Sequence, residues 1–382
     1  MTHRHPDRFF SLDVLRGMAA LTVVFWHWQH FLPAGTVTMD QRARQPLYSL
    51  FFLFYETGWL AVDLFFSLSG FIFYWLYSAP IRDKSVSARD FFLLRFSRLY
   101  PLHVVTLLAV AAGQIAFHCL THGYFVYSHI DGYHFLLNLL FVSSWGMERG
   151  WSFNAPVWSV SVEIFLYATF FVLNRCFPVR FAVPLAVSAI GFLAVMDLYE
   201  PIGRGIGSFY LGGCAYLAYE RIVSKGWERS VVRWLLFAAG ALGLVVFLAV
   251  GADLRSLPLP SLPGDDGYWL AVIILFPLAI LTLALAETCR GSLGRRISFI
   301  GDLSYSSYLI HFPLQLTVMG IATVSSVDRS LFNSPIALTG FFGVLIALSL
   351  ASHRYLEMPC QRYLRAHWPK SSARPQGGRP RG

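Results

Sequence analysis

Charged residues are scarce in this chain. Only 13% of its 382 residues are Asp, Glu, Lys or Arg, whereas 56% are hydrophobic. A soluble domain of this length carries roughly twice that charged fraction. The composition therefore excludes a soluble globular protein and predicts an all-α fold, a polytopic bundle of transmembrane helices.

Cysteines and nucleotide-binding motifs are also scarce. The five cysteines are far apart in the sequence, at positions 119, 176, 214, 289 and 360. Without a CxxC pair they indicate neither a disulfide framework nor a zinc site. The chain has no GxSxG or Walker pattern, and Gly203–Gly207 lacks the strand–turn–helix context of a nucleotide loop. Several outer-loop histidines lack the carboxylate spacing of a metal site, so we expect no metal and no tightly bound cofactor: His118, His122, His129 and His134.

Ten apolar stretches approach the 20 or so residues that a membrane-spanning helix needs. They lie at about residues 12–32, 59–78, 99–118, 155–174, 181–198, 205–220, 231–250, 268–286, 302–322 and 335–356. Two further apolar pieces, 47–55 and 133–145, are short for a crossing. With ten spans, Lys and Arg concentrate in the cytoplasmic segments, as the positive-inside rule requires. Counting 133–145 as a crossing would move the basic cluster 221–233 outside, so we interpret 133–145 as re-entrant or interfacial. Both termini are then predicted to be cytoplasmic.

The basic residues predict orientation rather than nucleic-acid binding. The net charge is +9, but the cations cluster in particular loops and in the tail. The first apolar stretch is too long for a signal-peptide core and is interpreted as a retained span. We expect a membrane-embedded domain over residues 1–365. Residues 366–382, with three prolines and three glycines, are predicted to be a basic, disordered cytoplasmic tail.

An arginine and a histidine share the first predicted span. Eleven positions separate Arg16 from His27, about three turns of helix, so both side chains point the same way, roughly 16 Å apart along the axis. Ionisable groups in a bilayer usually face a bundle interior or a wet cavity. Histidine is well suited to take a proton from a hydroxyl near neutral pH. Helix packing for His27 and snorkelling to the headgroups for Arg16 are the structural alternatives.

Other spans carry polar side chains at helical spacing. Arg95 and Arg98 neighbour each other at i,i+3 at the cytoplasmic start of the third span. With Arg16 they predict a cationic mouth for a phosphorylated donor, positive-inside anchoring being the alternative. Three residues at i, i+4 and i+8 form a polar stripe whose carboxylate needs a partner or a substrate cavity. They are Ser159, Glu163 and Tyr167.

Two further segments are better explained by helix packing. One face of the span after Gly301 is polar. Serines on such a face often only form hydrogen bonds between helices, and a histidine such as His311 is more often a packing residue than a catalyst. The segment Asp63–Phe71 has a small polar face that allows another helix to approach closely.

Six stretches together resemble acyltransferase family 3. These integral membrane acyltransferases include O-antigen, exopolysaccharide and Nod-factor acetylases. The stretches occur in family order and cover residues 9–365. They are Leu12–His27, Val62–Phe71, Arg95–Pro101, Trp158–Glu163, Ser304–His311 and Glu357–Pro359.

The resemblance implies a reaction and a location. Members are thought to move an acyl group, commonly acetyl, from cytoplasmic acyl-CoA to a sugar hydroxyl at or across the membrane. The acceptor implied is a glycan or lipid-linked saccharide of the exopolysaccharide or lipopolysaccharide type, and polysaccharide assembly proteins are candidate partners. The location implied is the bacterial cytoplasmic (inner) membrane. We expect the single-domain group, which also includes enzymes acting on antibiotics and other small acceptors.

The resemblance also assigns roles. The arginine-to-histidine spacing of the first span is the family's hallmark, and His27 becomes the general base, oriented by Glu163. Arg16, also counted as catalytic, would hold the acyl-CoA phosphates together with Arg95 and Arg98. The residues predicted to bind substrate are Trp158, Ser159, Tyr167, Tyr305 and His311. Direct transfer and an acyl-enzyme route are both compatible with these residues.

Two other classes compete with the enzyme. A transporter or flippase of a glycan or small molecule could use the intramembrane Arg, His and Glu as a relay. Inverted-repeat symmetry between the halves would favour it, and none is evident in the sequence. A structural subunit of a polysaccharide assembly complex would tolerate loss of His27, which an enzyme should not.

Overall fold

The part of the chain that the structure describes folds into helices and the segments that connect them. The computed structural model describes residues 6–32, 39–251 and 266–367, and within these ranges it contains no strand. Nearly all of the predicted tail 366–382 lies outside the described residues. The expected all-α fold is therefore confirmed for the part of the chain that the structure describes.

The helices differ widely in length. In chain order they are α1 (Phe10–His27), α2 (Met39–Ala43), α3 (Tyr48–Thr57), α4 (Ala61–Arg82), α5 (Ala88–Thr121), α6 (Gly132–Leu139), α7 (Trp158–Cys176), α8 (Ala182–Ile190), α9 (Met196–Leu198), α10 (Glu200–Ser224), α11 (Glu228–Gly251), α12 (Asp266–Trp269), α13 (Phe276–Arg290), α14 (Phe299–Asp302), α15 (Ser304–Val324), α16 (Pro335–Ser352) and α17 (Met358–His367). Three π-helical turns join α8 to α9, α12 to α13 and α16 to α17. They are Gly191–Val195, Leu270–Leu275 and His353–Glu357.

Six helical segments of the described chain are long and apolar enough to cross a membrane. They are Tyr48–Arg82, Ala88–Thr121, Ala155–Cys176, Gly267–Arg290, Ser304–Val324 and Pro335–His367. The apolar segment Ala182–Leu198 is shorter. Helices α1, α10 and α11 occupy the other predicted spans. The count of about ten crossings and the placement of the termini stay predictions.

The segment 133–145 contains only one short helix. Helix α6 has eight residues, a rise of about 12 Å against a hydrocarbon core of about 30 Å. Asp131 caps it by accepting a hydrogen bond from the His134 N–H at 2.9 Å. The Asn138 carbonyl oxygen of α6 lies 2.8 Å from His103 Nε2 of α5, which fixes the helix against the bundle. Its length agrees with the prediction that this segment does not cross.

Helices α4 and α10 pack with their backbones almost in contact. A Cβ built on Gly70 would lie 1.8 Å from the Phe209 carbonyl oxygen, and one on Gly212 would lie 1.9 Å from that of Ser67. Only glycine fits at such distances. The Ser67 hydroxyl donates to the Ser208 carbonyl at 3.0 Å across the same contact. The small polar face of Asp63–Phe71 therefore serves close helix approach, as its composition predicts.

Helix α1 is held at its N-terminal end by a buried carboxylate. Glu287 of α13 accepts hydrogen bonds from the N–H groups of Phe10 and Ser11, each at 2.9 Å, and from the Ser11 hydroxyl at 2.6 Å. A carboxylate at this position satisfies free N–H groups and complements the helix dipole. The rings of Phe9, Phe71 and Tyr219, with centroids 5.5–5.8 Å apart, pack the same end against α4 and α10.

Helix α15 lies alongside α1 and runs in the same direction. The Arg16 guanidinium donates to the Gly301 carbonyl at 3.0 Å, just before α15 begins. About three turns further on, the Gln315 side-chain amide donates to the His27 carbonyl at 2.9 Å. These two bonds set the register of α1 and α15, and hence the order of the polar groups between them.

Candidate active site

Two cavities lie one after the other along α1. The first, here the arginine cavity, encloses about 930 Å³ including space open to solvent, and the second, the tryptophan cavity, about 530 Å³. The polar and charged side chains lining the arginine cavity are Asp13, Arg16, Ser69, Arg95, Arg98, Ser159, Glu163, Tyr167, Ser304, Tyr305 and Tyr308. The tryptophan cavity is lined by Val23, Trp26, His27, Trp59, Val62, Trp151, Trp158, Glu200, Pro201, Arg204 and Tyr308.

The arginine cavity offers hydrogen-bond donors to an anion. Arg16 donates to Gly301 and pairs with Asp13 at 3.1 Å, yet its Nε is buried and has no partner among the described residues. Arg95 donates to the Tyr77 hydroxyl and lies over the rings of Phe73 and Tyr77, and its Nε is equally buried and unpartnered in the part of the chain described. Buried donors are normally satisfied, so these two N–H groups are available to an anion that binds in the cavity.

Helices α7 and α15 supply the other polar groups of the arginine cavity. Glu163 accepts a hydrogen bond from the Ser69 hydroxyl at 3.0 Å. Tyr305 donates to the Leu99 carbonyl at 2.5 Å, and Tyr167 stacks on Phe73 at 4.6 Å between centroids. The helical stripe of α7 thus faces one cavity, as its spacing predicts.

His27 lies in the tryptophan cavity in a defined tautomer. Its Nδ1 is 3.0 Å from the Val23 carbonyl oxygen. A carbonyl can only accept, so Nδ1 carries a proton, and in the neutral ring the lone pair is on Nε2. We expected Glu163 to orient His27; in the structure the Val23 carbonyl contacts Nδ1, and Glu163 lines the other cavity.

Two more histidines surround His27. The ring of His311 lies 4.9 Å and that of His30 5.0 Å from the His27 ring, between centroids. His311 donates from Nδ1 to the Tyr308 carbonyl at 2.6 Å, and its Nε2 is buried and unpartnered among the described residues. His30 Nδ1 lies 3.0 Å from the Gln315 side-chain oxygen. His311 thus packs against the His27 ring and lines neither cavity.

Most of the predicted site residues line the arginine cavity, and the others lie elsewhere. Arg16 and His27 share a face of α1 but line different cavities, with Tyr308 in the wall between. Trp158 lies with His27. The predicted residues gathered in the arginine cavity are Arg16, Arg95, Arg98, Ser159, Glu163, Tyr167 and Tyr305.

Sequence reasoning missed a buried ion pair beside the tryptophan cavity. Arg204 of α10 and the fully buried Asp63 of α4 are joined by two hydrogen bonds, at 2.6 and 3.3 Å. Asp63 is an ionisable residue inside the predicted span 59–78, and Arg204 directly precedes the predicted span 205–220, so both were visible in the sequence as candidates for a functional pair. From the sequence, Gly203–Gly207 is considered only as a nucleotide loop, that interpretation is rejected, and no role is assigned to Arg204.

A second polar cluster lies in the segment before and within α6. Ligand atoms of His129, Asp131 and His134 lie within 4.8 Å of one another. His134 Nδ1 is 2.8 Å from Asp131, and its Nε2 accepts the Arg149 N–H at 3.2 Å. Because both ring nitrogens of His134 are engaged, these contacts hold the loop on α6.

Comparison with known proteins covers nearly the whole chain. A family model described as an acyltransferase domain matches residues 9–354. The acyltransferase MdmB of Streptomyces mycarofaciens is 28% identical over 391 aligned residues, 96% of this chain and 95% of that protein.

A second relative matches over a shorter region. "Protein 2 in picA locus" of Rhizobium radiobacter is 36% identical over 120 residues, which is 31% of this chain and 53% of that protein. The match thus spans about half the length of that relative. No solved structure matches the chain. Given the extent of the family match, the chain belongs to acyltransferase family 3.

Proposed function

We propose that this protein transfers an acyl group, acetyl being the expected one, from cytoplasmic acyl-CoA to a hydroxyl of a carbohydrate acceptor. The observation that carries the proposal is the pair of cavities on α1, one with three arginines and one with His27. An acyl transferase needs a site for each of two substrates and a base where they meet. Membership of an acyltransferase family supports the reaction class.

The arginine cavity suits the donor. Acyl-CoA carries a diphosphate and a 3′-phosphate, and guanidinium groups bind phosphate oxygens through charge-assisted, often bidentate hydrogen bonds. Arg16, Arg95 and Arg98 would provide them, the first two with unused Nε donors. The thioester end would extend along α1 towards Tyr308.

The transfer itself requires one base. His27 Nε2 would take the proton of the acceptor hydroxyl while the oxygen forms a bond to the thioester carbonyl carbon. The carbon–sulfur bond then breaks, and the CoA thiolate leaves and takes the proton from His27. Proton and acyl group are both accounted for without a covalent enzyme intermediate.

The membrane arrangement is part of the proposal. Ten crossings, with both termini in the cytoplasm, would place the N-terminal end of α1 and the arginine cavity on the side where acyl-CoA is made. The acceptor would then approach from the outer half of a bacterial inner membrane. A cysteine-accessibility map that found residues 221–233 outside would contradict this arrangement.

The test is acyl transfer by purified protein in proteoliposomes. Labelled acetyl-CoA is supplied with membrane extract containing lipid-linked glycans, for wild type, His27→Ala and the exposed control His118→Ala. We expect label to reach an acceptor with wild type and the control, and to be lost with His27→Ala. Transfer that survives His27→Ala would remove His27 from the mechanism. Absence of both transfer and acetyl-CoA binding with wild type would favour the transporter.

A further inference from the structure

The tryptophan cavity has the composition of a site for a ring with one apolar face and polar edges. Four indoles line it, from α1, from the turn before α4, from the loop before α7 and from the first turn of α7: Trp26, Trp59, Trp151 and Trp158. His27 and two charged residues, Glu200 and Arg204, supply the polar groups. Tryptophan offers a large rigid apolar surface at low entropic cost.

The indoles are held in place by the buried ion pair. The Arg204 guanidinium lies 5.1 Å from the Trp59 ring and 5.4 Å from the Trp158 ring, between carbon and centroid. The Trp59 ring is also stacked on the Tyr268 ring, with centroids 5.5 Å apart and planes 10° apart. Because Asp63 fixes Arg204 through two hydrogen bonds, the two aromatic walls are set before any ligand arrives.

The charges around the cavity leave it net negative. Arg204 is paired with Asp63 at 2.6 Å and with Glu200 at 3.2 Å, so two carboxylates face one guanidinium. Glu200 is 61% exposed and keeps free acceptor capacity towards the cavity. Arg42, 6.0 Å from the Trp26 ring, is itself paired with Glu56 at 2.6 Å. An anionic ligand would therefore be repelled from this cavity, which separates it from the arginine cavity next to it.

We propose that the tryptophan cavity is the acceptor subsite and that it takes one neutral or amino-substituted pyranose ring, excluding uronic acids and other acidic sugars. Such a ring stacks its C–H face on indole and directs hydroxyls to its edges, where Glu200 accepts one and His27 takes the proton of another. The inference rests on the proposed function and adds to it the place, size and charge of the acceptor.

Substitutions of Trp151 test the stacking part of the proposal, and a substitution of Glu200 tests the part that concerns charge. Trp151 is half exposed, so Trp151→Ala is expected to fold, and Trp234→Ala, at a more exposed tryptophan outside both cavities, serves as its control. Acetyl transfer is measured with acetyl-CoA as the donor and with methyl glucoside, methyl glucosaminide or methyl glucuronide as the acceptor. With Trp151→Ala we expect the KM for the neutral glycosides to rise about fivefold, from one lost aromatic contact, with the KM for acetyl-CoA unchanged. Trp151→Phe should recover part of the loss.

Glu200→Gln tests the charge. Wild type is expected to turn over the glucoside and the glucosaminide with a much higher kcat/KM than the glucuronide. Glu200→Gln should lower the ratio of kcat/KM for the glucoside to kcat/KM for the glucuronide by about tenfold, because the substitution removes a like-charge repulsion. An unchanged ratio, or a glucuronide accepted by wild type as well as glucoside, would overturn the proposal.

The outcomes also distinguish this inference from the function on which it depends. Transfer to membrane extract but to no methyl pyranoside would overturn the single-ring acceptor alone. A rise in the KM for acetyl-CoA with Trp151→Ala, at constant acceptor KM, would assign the cavity to the donor instead. If wild type transferred acetyl neither to membrane extract nor to any glycoside, both the proposed function and the proposed acceptor subsite would be contradicted.

Discussion

The Tyr308 hydroxyl lies 2.8 Å from the Ser159 hydroxyl and donates to the Pro156 carbonyl at 2.5 Å. Since that proton is committed to Pro156, Ser159 is the donor in the first bond. Tyr308 of α15 is thereby fixed to the start of α7 at the wall that the two cavities share. In the proposed reaction, the acyl group would pass this side chain between the arginine cavity and His27.

Tyr308→Phe is expected to weaken the wall. The substitution leaves the Pro156 carbonyl and the Ser159 hydroxyl without their partner, at a cost of about 1–3 kcal/mol. Water would reach the thioester more easily, so we expect acetyl-CoA hydrolysis without acceptor to rise by about threefold or more relative to transfer. Thiol release with and without acceptor measures the ratio. Ser159→Ala keeps the bond to Pro156 and should change it less; equal effects of both variants would argue against this role.

Arg98→Gln is expected to weaken donor binding alone. Loss of one charge-assisted hydrogen bond to phosphate costs about 1.5–3 kcal/mol, so the KM for acetyl-CoA should rise at least about tenfold with the acceptor KM unchanged. The exposed Arg229→Gln is the matched control for charge. Acetyl-dephospho-CoA locates the contact: if Arg98 binds the 3′-phosphate, the variant and wild type will use this analogue equally well. A variant with wild-type KM for acetyl-CoA would exclude Arg98 from the donor site.

Gly212→Ala tests the contact between α4 and α10. The new Cβ would meet the Ser67 backbone oxygen at 1.9 Å, so the helices must separate, at an expected cost of about 1–3 kcal/mol of unfolding free energy. Thermal unfolding in detergent should therefore begin at a lower temperature. Gly240→Ala, whose Cβ would meet nothing within 4 Å, should leave the midpoint unchanged or raise it. A Gly212 variant as stable as wild type would show that the backbone contact is looser than described.

Asp131 is expected to make the loop around α6 sensitive to acid. Hydrogen bonds from the backbone N–H and the ring of His134 lower the pKa of Asp131 below its usual value. The contribution of ionised Asp131 to the stability of the loop is therefore complete above about pH 4, and it is lost as the pH falls through the folded-state pKa of Asp131. Asp131→Ala should cost about 1 kcal/mol at pH 7 through loss of the helix cap.

Protease susceptibility of residues 123–154 across pH is a direct measurement of this effect. Wild type and Asp131→Ala should differ most at pH 7, and the difference should shrink as the pH falls through the folded-state pKa of Asp131. Asp131→Asn, which keeps a cap without a titrating group, should show little change over that range. A difference between wild type and Asp131→Ala that stayed the same as the pH was lowered would contradict the assignment.

The sequence by itself determined what depends on local periodicity. Low charge and repeated apolar stretches predicted a helical membrane protein, and helical spacing placed Arg16 with His27 on one face of α1 and Ser159 with Glu163 on one face of α7. Both pairings follow from the 3.6-residue turn and need no knowledge of neighbouring helices. The ordered motifs also sufficed to identify the family.

Only the tertiary structure decided which faces meet. The partner of Asp63 is Arg204, 141 positions away, and the wall between the two cavities is Tyr308 of α15. Glu163 and His27, expected to pair, line different cavities because Tyr308 and the start of α7 stand between them. Long-range packing selects one helix arrangement among many that satisfy the same local patterns, so these relationships are absent from the spacing of residues along the chain.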